Sequence, residues 1–318
     1  MIRIHTRRLP HDFALAFGAA LGAVALFAAP ALLPAHWHLA GAARAQAVYD
    51  TPEAAANAFT NALATNDAGA MKHVLGSNFT QFIPTQNVGR DDIDDYLGAW
   101  SKGHRIVPDA TPVAGKASAH LEVGDSGWTL PIPLVRAGEG WRFDPREGAS
   151  EILTRRIGRN ERAAMLTSLA YVSAQNDYRQ LMQHYALRFV STPGTHDGLY
   201  WPVAPGEAES PLGPLAAAMP HDAKITPKEG YHGYHFRILT AQGAHAKGGA
   251  RGYLHNGTLA NGFALVAWPA EYGKTGVMSF IVDQDGQLYQ KNLGPNGART
   301  AAALKSFDPD PSWQPTQP

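Results

Sequence analysis

Three stretches near the C-terminal end decide the fold. Tyr231-His-Gly-Tyr-His-Phe-Arg-Ile-Leu-Thr240 and Asn261-Gly-Phe-Ala-Leu-Val-Ala-Trp-Pro-Ala-Glu-Tyr-Gly273 lead into Thr275-Gly-Val-Met-Ser-Phe-Ile-Val-Asp-Gln-Asp-Gly286. From Tyr234 onward, Tyr234, Phe236 and Ile238 share one side and His235 and Arg237 the other, the period of a half-buried strand. Phe263 to Trp268 is continuously apolar, which predicts a strand buried on both faces inside a sheet. Val277 to Val282 then turns through Asp283-Gln-Asp-Gly286 into Leu288-Tyr-Gln-Lys291. Asn256-Gly257, between Tyr253-Leu-His255 and Thr258-Leu-Ala260, is a strong signal for a two-residue hairpin. Together these predict an antiparallel sheet.

Upstream of the sheet the period changes. Met165, Leu166, Leu169, Val172 and Tyr178 recur at helical spacing, so a long helix is expected from Asn160. Arg155, Arg156, Arg159 and Arg162 crowd its start, where positive charge opposes the helix dipole. Either the helix begins earlier or those side chains have partners. Ser191 to Lys228 reads as irregular chain, with Tyr200 and Trp201 available to anchor it, and a binding surface could lie there.

Working further toward the N-terminus, Thr51-Pro-Glu-Ala opens a helix with a hydroxyl cap and a proline at its first position. Ala55, Phe59, Ala62 and Leu63 form its stripe. Asn66-Asp67 can cap a second helix that ends at Gly76, and a third begins near Asp91 with Ile93, Leu97 and Trp100 on one face. His120 to Val123, Trp128 to Val135 and Trp141 to Asp144 read as strands, the middle one an edge or bulged strand because of Pro131 and Pro133. The order of helices and then a curved antiparallel sheet looks like the cone of nuclear-transport-factor-like domains.

Composition and charge exclude some function classes. The 318 residues hold 27 basic and 27 acidic side chains and no cysteine. Setting aside Arg3, Arg7, Arg8, Arg44 and Asp12 of the first 47 residues leaves 23 basic against 26 acidic, so no basic stripe survives to neutralise a nucleic-acid backbone. The absence of cysteine removes disulfides and thiolate ligands. Arginines at 3, 7 and 8, an apolar run from Phe13 to Leu33, and small residues at Ala43-Arg-Ala45 and Ala45-Gln-Ala47 make an export signal over residues 1–47. The expected location is the periplasm. The alternative is an uncleaved inner-membrane anchor facing the periplasm, with membrane contact through the leader only.

The chemical motifs are sparse. His232-x-x-His235 is the most metal-like, but residues three apart on a strand face opposite sides, so no chelating pair and no metal is expected. Asp283-Gln-Asp-Gly286 lacks the third oxygen ligand and distal Glu of a calcium loop and reads as a hairpin turn. Asp91, Asp92, Asp94 and Asp95 read as a solvated first helical turn. No cofactor motif and no catalytic set is present. Glu271-Tyr-Gly-Lys-Thr-Gly276 follows the most apolar strand as a polar, glycine-rich loop, so Glu271, Tyr272 and Lys274 are the leading candidates for contact with a ligand or partner. His232, His235, Arg237 and Asp283 are weaker candidates.

Further segments carry a resemblance. Trp128 to Val135, Gly140-Trp-Arg-Phe-Asp144, Arg155-Arg-Ile-Gly-Arg-Asn-Glu161, Tyr171-Val-Ser-Ala-Gln175, Asp197-Gly-Leu-Tyr-Trp-Pro202 and Ser210-Pro-Leu-Gly-Pro-Leu215, with the sheet residues quoted above, resemble the exported bacterial family named domain of unknown function 2950. That family transfers no catalytic residue. Residues 158–295 also look like the globular part of type IV pilins and pseudopilins, although here a whole domain separates the apolar leader from the helix. The expected architecture is therefore α+β in two domains: residues 48–150, a helical domain with a curved antiparallel sheet, and residues 151–318, a long helix packed on an antiparallel sheet. The expected function is a non-enzymatic periplasmic binding or envelope interaction module for a small ligand or an envelope protein. The alternatives are an envelope hydrolase with a composite site using His232, His235, Glu271 or Asp283, and a pilus-like assembly component.

Overall fold

The computed structural model describes residues 45–83, 85, 88–204, 206–207, 209–217 and 228–318. The expected leader therefore lies, through residue 44, outside the described residues. The chain divides between Leu153 and Thr154 into two compact units.

In the first unit, α1 (Pro52–Ala64) starts where Thr51 Oγ1 accepts the Ala54 N–H at 3.1 Å. Helix α2 (Ala68–Leu75) starts where Asp67 accepts two backbone N–H groups, and α3 (Arg90–Lys102) where Asp92 reaches back to the Gly89 N–H. The Asp92 bond accounts for part of the acidic run as cap chemistry. Four strands follow, β1 (His104–Pro108), β2 (Ser118–Val123), β3 (Leu134–Ala137) and β4 (Gly140–Phe143), in the sheet order β1-β2-β3-β4 with antiparallel pairing throughout. Phe59, Tyr96, Leu121, Leu134 and Phe143 form the centre of the core.

Pro131 and Pro133 reshape this sheet. The expected strand from Trp128 to Val135 is not continuous: Thr129 makes a single bridge to Glu122, and β3 begins only at Leu134. Prolines have no N–H to give to a ladder, so β2 and β3 pair through two residue pairs, Ser118 with Val135 and Ala119 with Leu134. The sheet is an open meander that neither closes nor curls into a cone, which overturns the nuclear-transport-factor-like expectation.

The long helix, α4, runs from Pro145 to Met182, starting fifteen residues before the expected Asn160. Its start is written in Asp144-Pro145-Arg-Glu147: Asp144 Oδ1 accepts the N–H groups of Arg146 at 3.1 Å and Glu147 at 3.3 Å, and Glu147 lies in the first turn. The arginines from Arg155 to Arg162 consequently lie in the helix interior, and their conflict with the dipole disappears.

The second unit centres on a five-stranded antiparallel sheet. Its strands are β5 (Tyr234–Leu239), β10 (Ala264–Pro269), β11 (Met278–Asp283), β12 (Leu288–Asn292) and β13 (Gln314–Pro315), in the order β13-β12-β11-β10-β5. Short pairs of β6 (Ala241–Gln242) with β7 (Arg251–Gly252), and of β8 (Leu254–His255) with β9 (Thr258–Leu259) across Asn256-Gly257, lie between β5 and β10. Helix α5 (Gly213–Ala217) precedes the sheet, and α6 (Gly297–Ala303) joins β12 to β13. Strand β10 is almost wholly buried, as its composition requires.

Tyr171, Ala174 and Tyr178 of α4 join Phe263, Val266 and Phe280 in one core. Gln175 is fully buried there and satisfied: Nε2 donates to Tyr171 Oη at 2.9 Å and to the Ala186 carbonyl at 2.8 Å, while Oε1 accepts the Ala186 N–H. The pilin-like expectation is overturned here. The sheet is open, and the helix entering this unit is no apolar assembly helix, since it carries Arg155, Arg156, Arg159 and Arg162. What remains of the expected class is α+β with two sheets.

The cap at Asp144 gives a direct check. Asp144→Ala is expected to lower stability in chemical denaturation by about 1 kcal/mol. A helix nucleated at Asn160 would leave stability unchanged by this substitution.

Candidate functional site

The second unit contains a cavity of about 650 Å³. Its aromatic wall is Tyr171 from α4, Phe189 and Tyr200 from the irregular segment, and Tyr231, Tyr234 and Phe236 at the entry to β5. Val190, Leu212, Leu215, Ala216 and Leu265 add aliphatic surface, and Thr167 and His235 are the remaining polar side chains. The volume and the mixture of apolar walls with a few polar groups are those of a small-molecule site.

One buried ring organises this wall. Tyr234 is fully buried and its hydroxyl donates to the Met278 carbonyl at 2.8 Å. A Cβ on Gly276 would fall on that hydroxyl, so the approach requires glycine. Burial, with the nearby Glu161 charge, pushes the Tyr234 pKa up and keeps the hydroxyl a donor. Alongside, Glu161 Oε1 accepts the N–H groups of both Val277 and Met278 at 2.9 Å, and Asn160 Nδ2 donates to the Thr275 carbonyl at 2.9 Å. Helix α4 is thus fastened by side chains to the beginning of β11.

The expected site residues fall in several places. His232 is not on a strand: with Gly233 it forms a tight turn at φ 48° and 72°, closed by reciprocal hydrogen bonds between Tyr231 and Tyr234. Gly233 is needed for its positive φ and because a Cβ would meet the Thr275 Cβ at 2.7 Å. His235 lies on β5, lines the cavity and packs against Trp268 with ring centroids 5.7 Å apart. Arg237 has a structural task, donating to the Ala301 and Leu304 carbonyls at the C-terminal end of α6. Asp283 makes the β11–β12 turn, accepting the N–H groups of Asp285 and Gln287.

Glu271, Tyr272 and Lys274 lie outside the cavity lining, on an exposed loop that is closed on itself. Thr275 Oγ1 accepts the Glu271 N–H, Gly273 donates to the Gly276 carbonyl, and Lys274 Nζ meets Glu271 Oε2 at 2.9 Å. That lysine holds the Glu271 carboxyl below its usual range. Of the residues proposed for a hydrolase, Asp283 stands apart from His235. His235 pairs with Trp268 at one end of β10 and Asp283 with Ala264 at the other, four residues and roughly 13 Å along the strand. Among the described residues no group of three His, Cys, Asp or Glu side chains is placed to hold a metal ion.

The sequence profile of the family described as "Protein of unknown function (DUF2950)" matches residues 46–316. The chain belongs to this family. No curated protein and no solved structure matches it significantly. The match begins at Gln46, whose Nε2 donates to the Val74 carbonyl at 3.1 Å and the Phe143 carbonyl at 2.7 Å. Among the described residues no helix is long and apolar enough to cross a membrane.

Two measurements check this geometry. Glu161→Ala leaves two part-buried N–H groups without an acceptor and is expected to cost roughly 2–4 kcal/mol in denaturant unfolding, whereas Glu161→Gln, which keeps a neutral acceptor, is expected to cost about half as much. Burial also lowers the pKa of His232 and His235 below 6.5. The unfolded chain therefore takes up these protons first, and their contribution to stability is lost as pH falls through 6.5 toward the folded values. Thermal stability is expected to fall between about pH 7 and 5.5, with a shallower fall in a His232→Asn, His235→Asn double variant.

Proposed function

We propose that this protein is an exported binding module whose second unit receives a small apolar molecule in the cavity beside Tyr234 and His235. The observation that carries the reading is the cavity itself: about 650 Å³, walled by rings from α4, β5 and the segment before α5, on a frame pinned by Tyr234 and Glu161. A solvent-open pocket of this size, walled by aromatic and aliphatic side chains, has the dimensions of a small-molecule site. Binding, rather than catalysis, is the reading favoured because the lining is mostly aromatic and aliphatic.

Export is supported by the charged and apolar order of the leader and by the position of Gln46. Ala43-Arg-Ala45 ends immediately before Gln46, whose side chain is hydrogen-bonded to the first unit. Cleavage after Ala45 keeps both Gln46 hydrogen bonds and the bond from the Ala47 N–H to the His73 carbonyl; cleavage after Ala47 removes them. Sequencing of the mature protein is expected to begin at Gln46. Recovery of an intact N-terminus from membranes would overturn cleavage.

The ligand reading is tested with the neutral probe N-phenyl-1-naphthylamine. Its fluorescence is expected to rise on saturable binding to the wild-type protein and to fall by about tenfold in affinity in Ala216→Trp, which fills the cavity from α5, with the fold retained. A folded Ala216→Trp protein that binds the probe as well as wild type would place the probe elsewhere and contradict the proposal.

A further inference from the structure

The cavity offers hydrogen bonds but no charge among the described residues that line it. Two of its hydroxyls are committed within the fold, Tyr171 to the Ala264 carbonyl and Gln175, and Tyr234 to the Met278 carbonyl. Within the described residues, the hydroxyls of Thr167, Tyr200 and Tyr231 and the imidazole of His235 make no hydrogen bond. Of the charged side chains near the lining residues in sequence, Arg188 pairs with Asp197 and Arg237 holds the end of α6.

From this arrangement we infer that the cavity selects an uncharged amphiphile: a molecule that is mostly hydrocarbon and carries one or two hydroxyl or carbonyl oxygens and no ionised group. This rests on the reading of the cavity as a ligand site. The reason is desolvation. A carboxylate or an ammonium drawn in among Phe189, Leu212, Leu215, Phe236 and Leu265 loses its hydration, and among the described residues no lining side chain of opposite charge replaces it. A hydroxyl or carbonyl loses far less and recovers it from Thr167, Tyr231 or His235. His235 suits this role because burial favours its neutral form, in which one ring nitrogen donates and the other accepts.

The test is displacement of N-phenyl-1-naphthylamine by three ligands of one chain length, dodecanol, dodecanoate and dodecylammonium, each below its aggregation limit at about pH 7.5, where both ions are charged. Dodecanol is expected to bind about tenfold tighter than either ion, or more. Equal or tighter binding of dodecanoate or dodecylammonium would overturn the charge selectivity while leaving a ligand site in place. If the probe itself fails to bind, the ligand site and the inference fall together.

A converse variant adds the missing charge. Thr167→Lys is expected to shift the preference toward dodecanoate by about tenfold, and Leu215→Lys does the same from the opposite element if the first variant does not fold. An unchanged ratio in a folded lysine variant would also overturn the inference.

Discussion

The hydrogen bond from Tyr234 to the Met278 carbonyl sets the geometry of the second unit. It needs three things at once: a fully buried ring at the first residue of β5, no side chain at Gly276, and a β11 backbone held in place. Glu161 supplies the last by accepting the N–H groups of Val277 and Met278 from α4. A buried phenol without a partner is costly, so this bond fixes the position of the ring, and the ring fixes one wall of the cavity. Helix, sheet and cavity wall thus share one small set of contacts.

That arrangement explains why the pocket keeps its shape. Apolar walls gain by closing on one another, so an open pocket needs side chains that are held in place. Here closure is resisted on several sides. Tyr171 is held by Gln175 and by edge-to-face contact with Phe263, and Tyr234 by Met278. The loop from Glu271 to Gly276 ties the end of β10 to α4 through Thr275 and Asn160. Gly276 serves the close approach of Tyr234, Gly273 adopts a positive φ, and the loop's two opposite charges pair with each other.

Local signals in the sequence specified local structure well. Asn256-Gly257 makes its hairpin, Asp283 to Gly286 makes its turn, and the unbroken apolar run after Phe263 becomes an interior strand. The sequence is less legible where distant residues interact and at one helix cap. Asp144-Pro145 has the chemistry of a helix start but follows a strand and precedes two glycines, Gly148 and Gly158, which disguise the helix as a linker. Gly148 is there because a Cβ would press on Ile132 at 3.1 Å. The cone failed because Pro131 and Pro133 shorten the pairing that would have curved the sheet. The cavity was the least legible, since its walls come from residues 167 to 265 and no motif joins them. The one available hint was the irregular segment with Tyr200, which does line it.

The central claim is that the second unit holds open an apolar cavity with its own frame. Crystals of the protein under xenon pressure test this most directly, since dry apolar cavities take up the gas. The account predicts xenon between Tyr171, Phe236 and Leu265, with the Tyr234 hydroxyl still on the Met278 carbonyl. A volume filled by the protein's own side chains, with no gas and no ordered molecule inside, would contradict it.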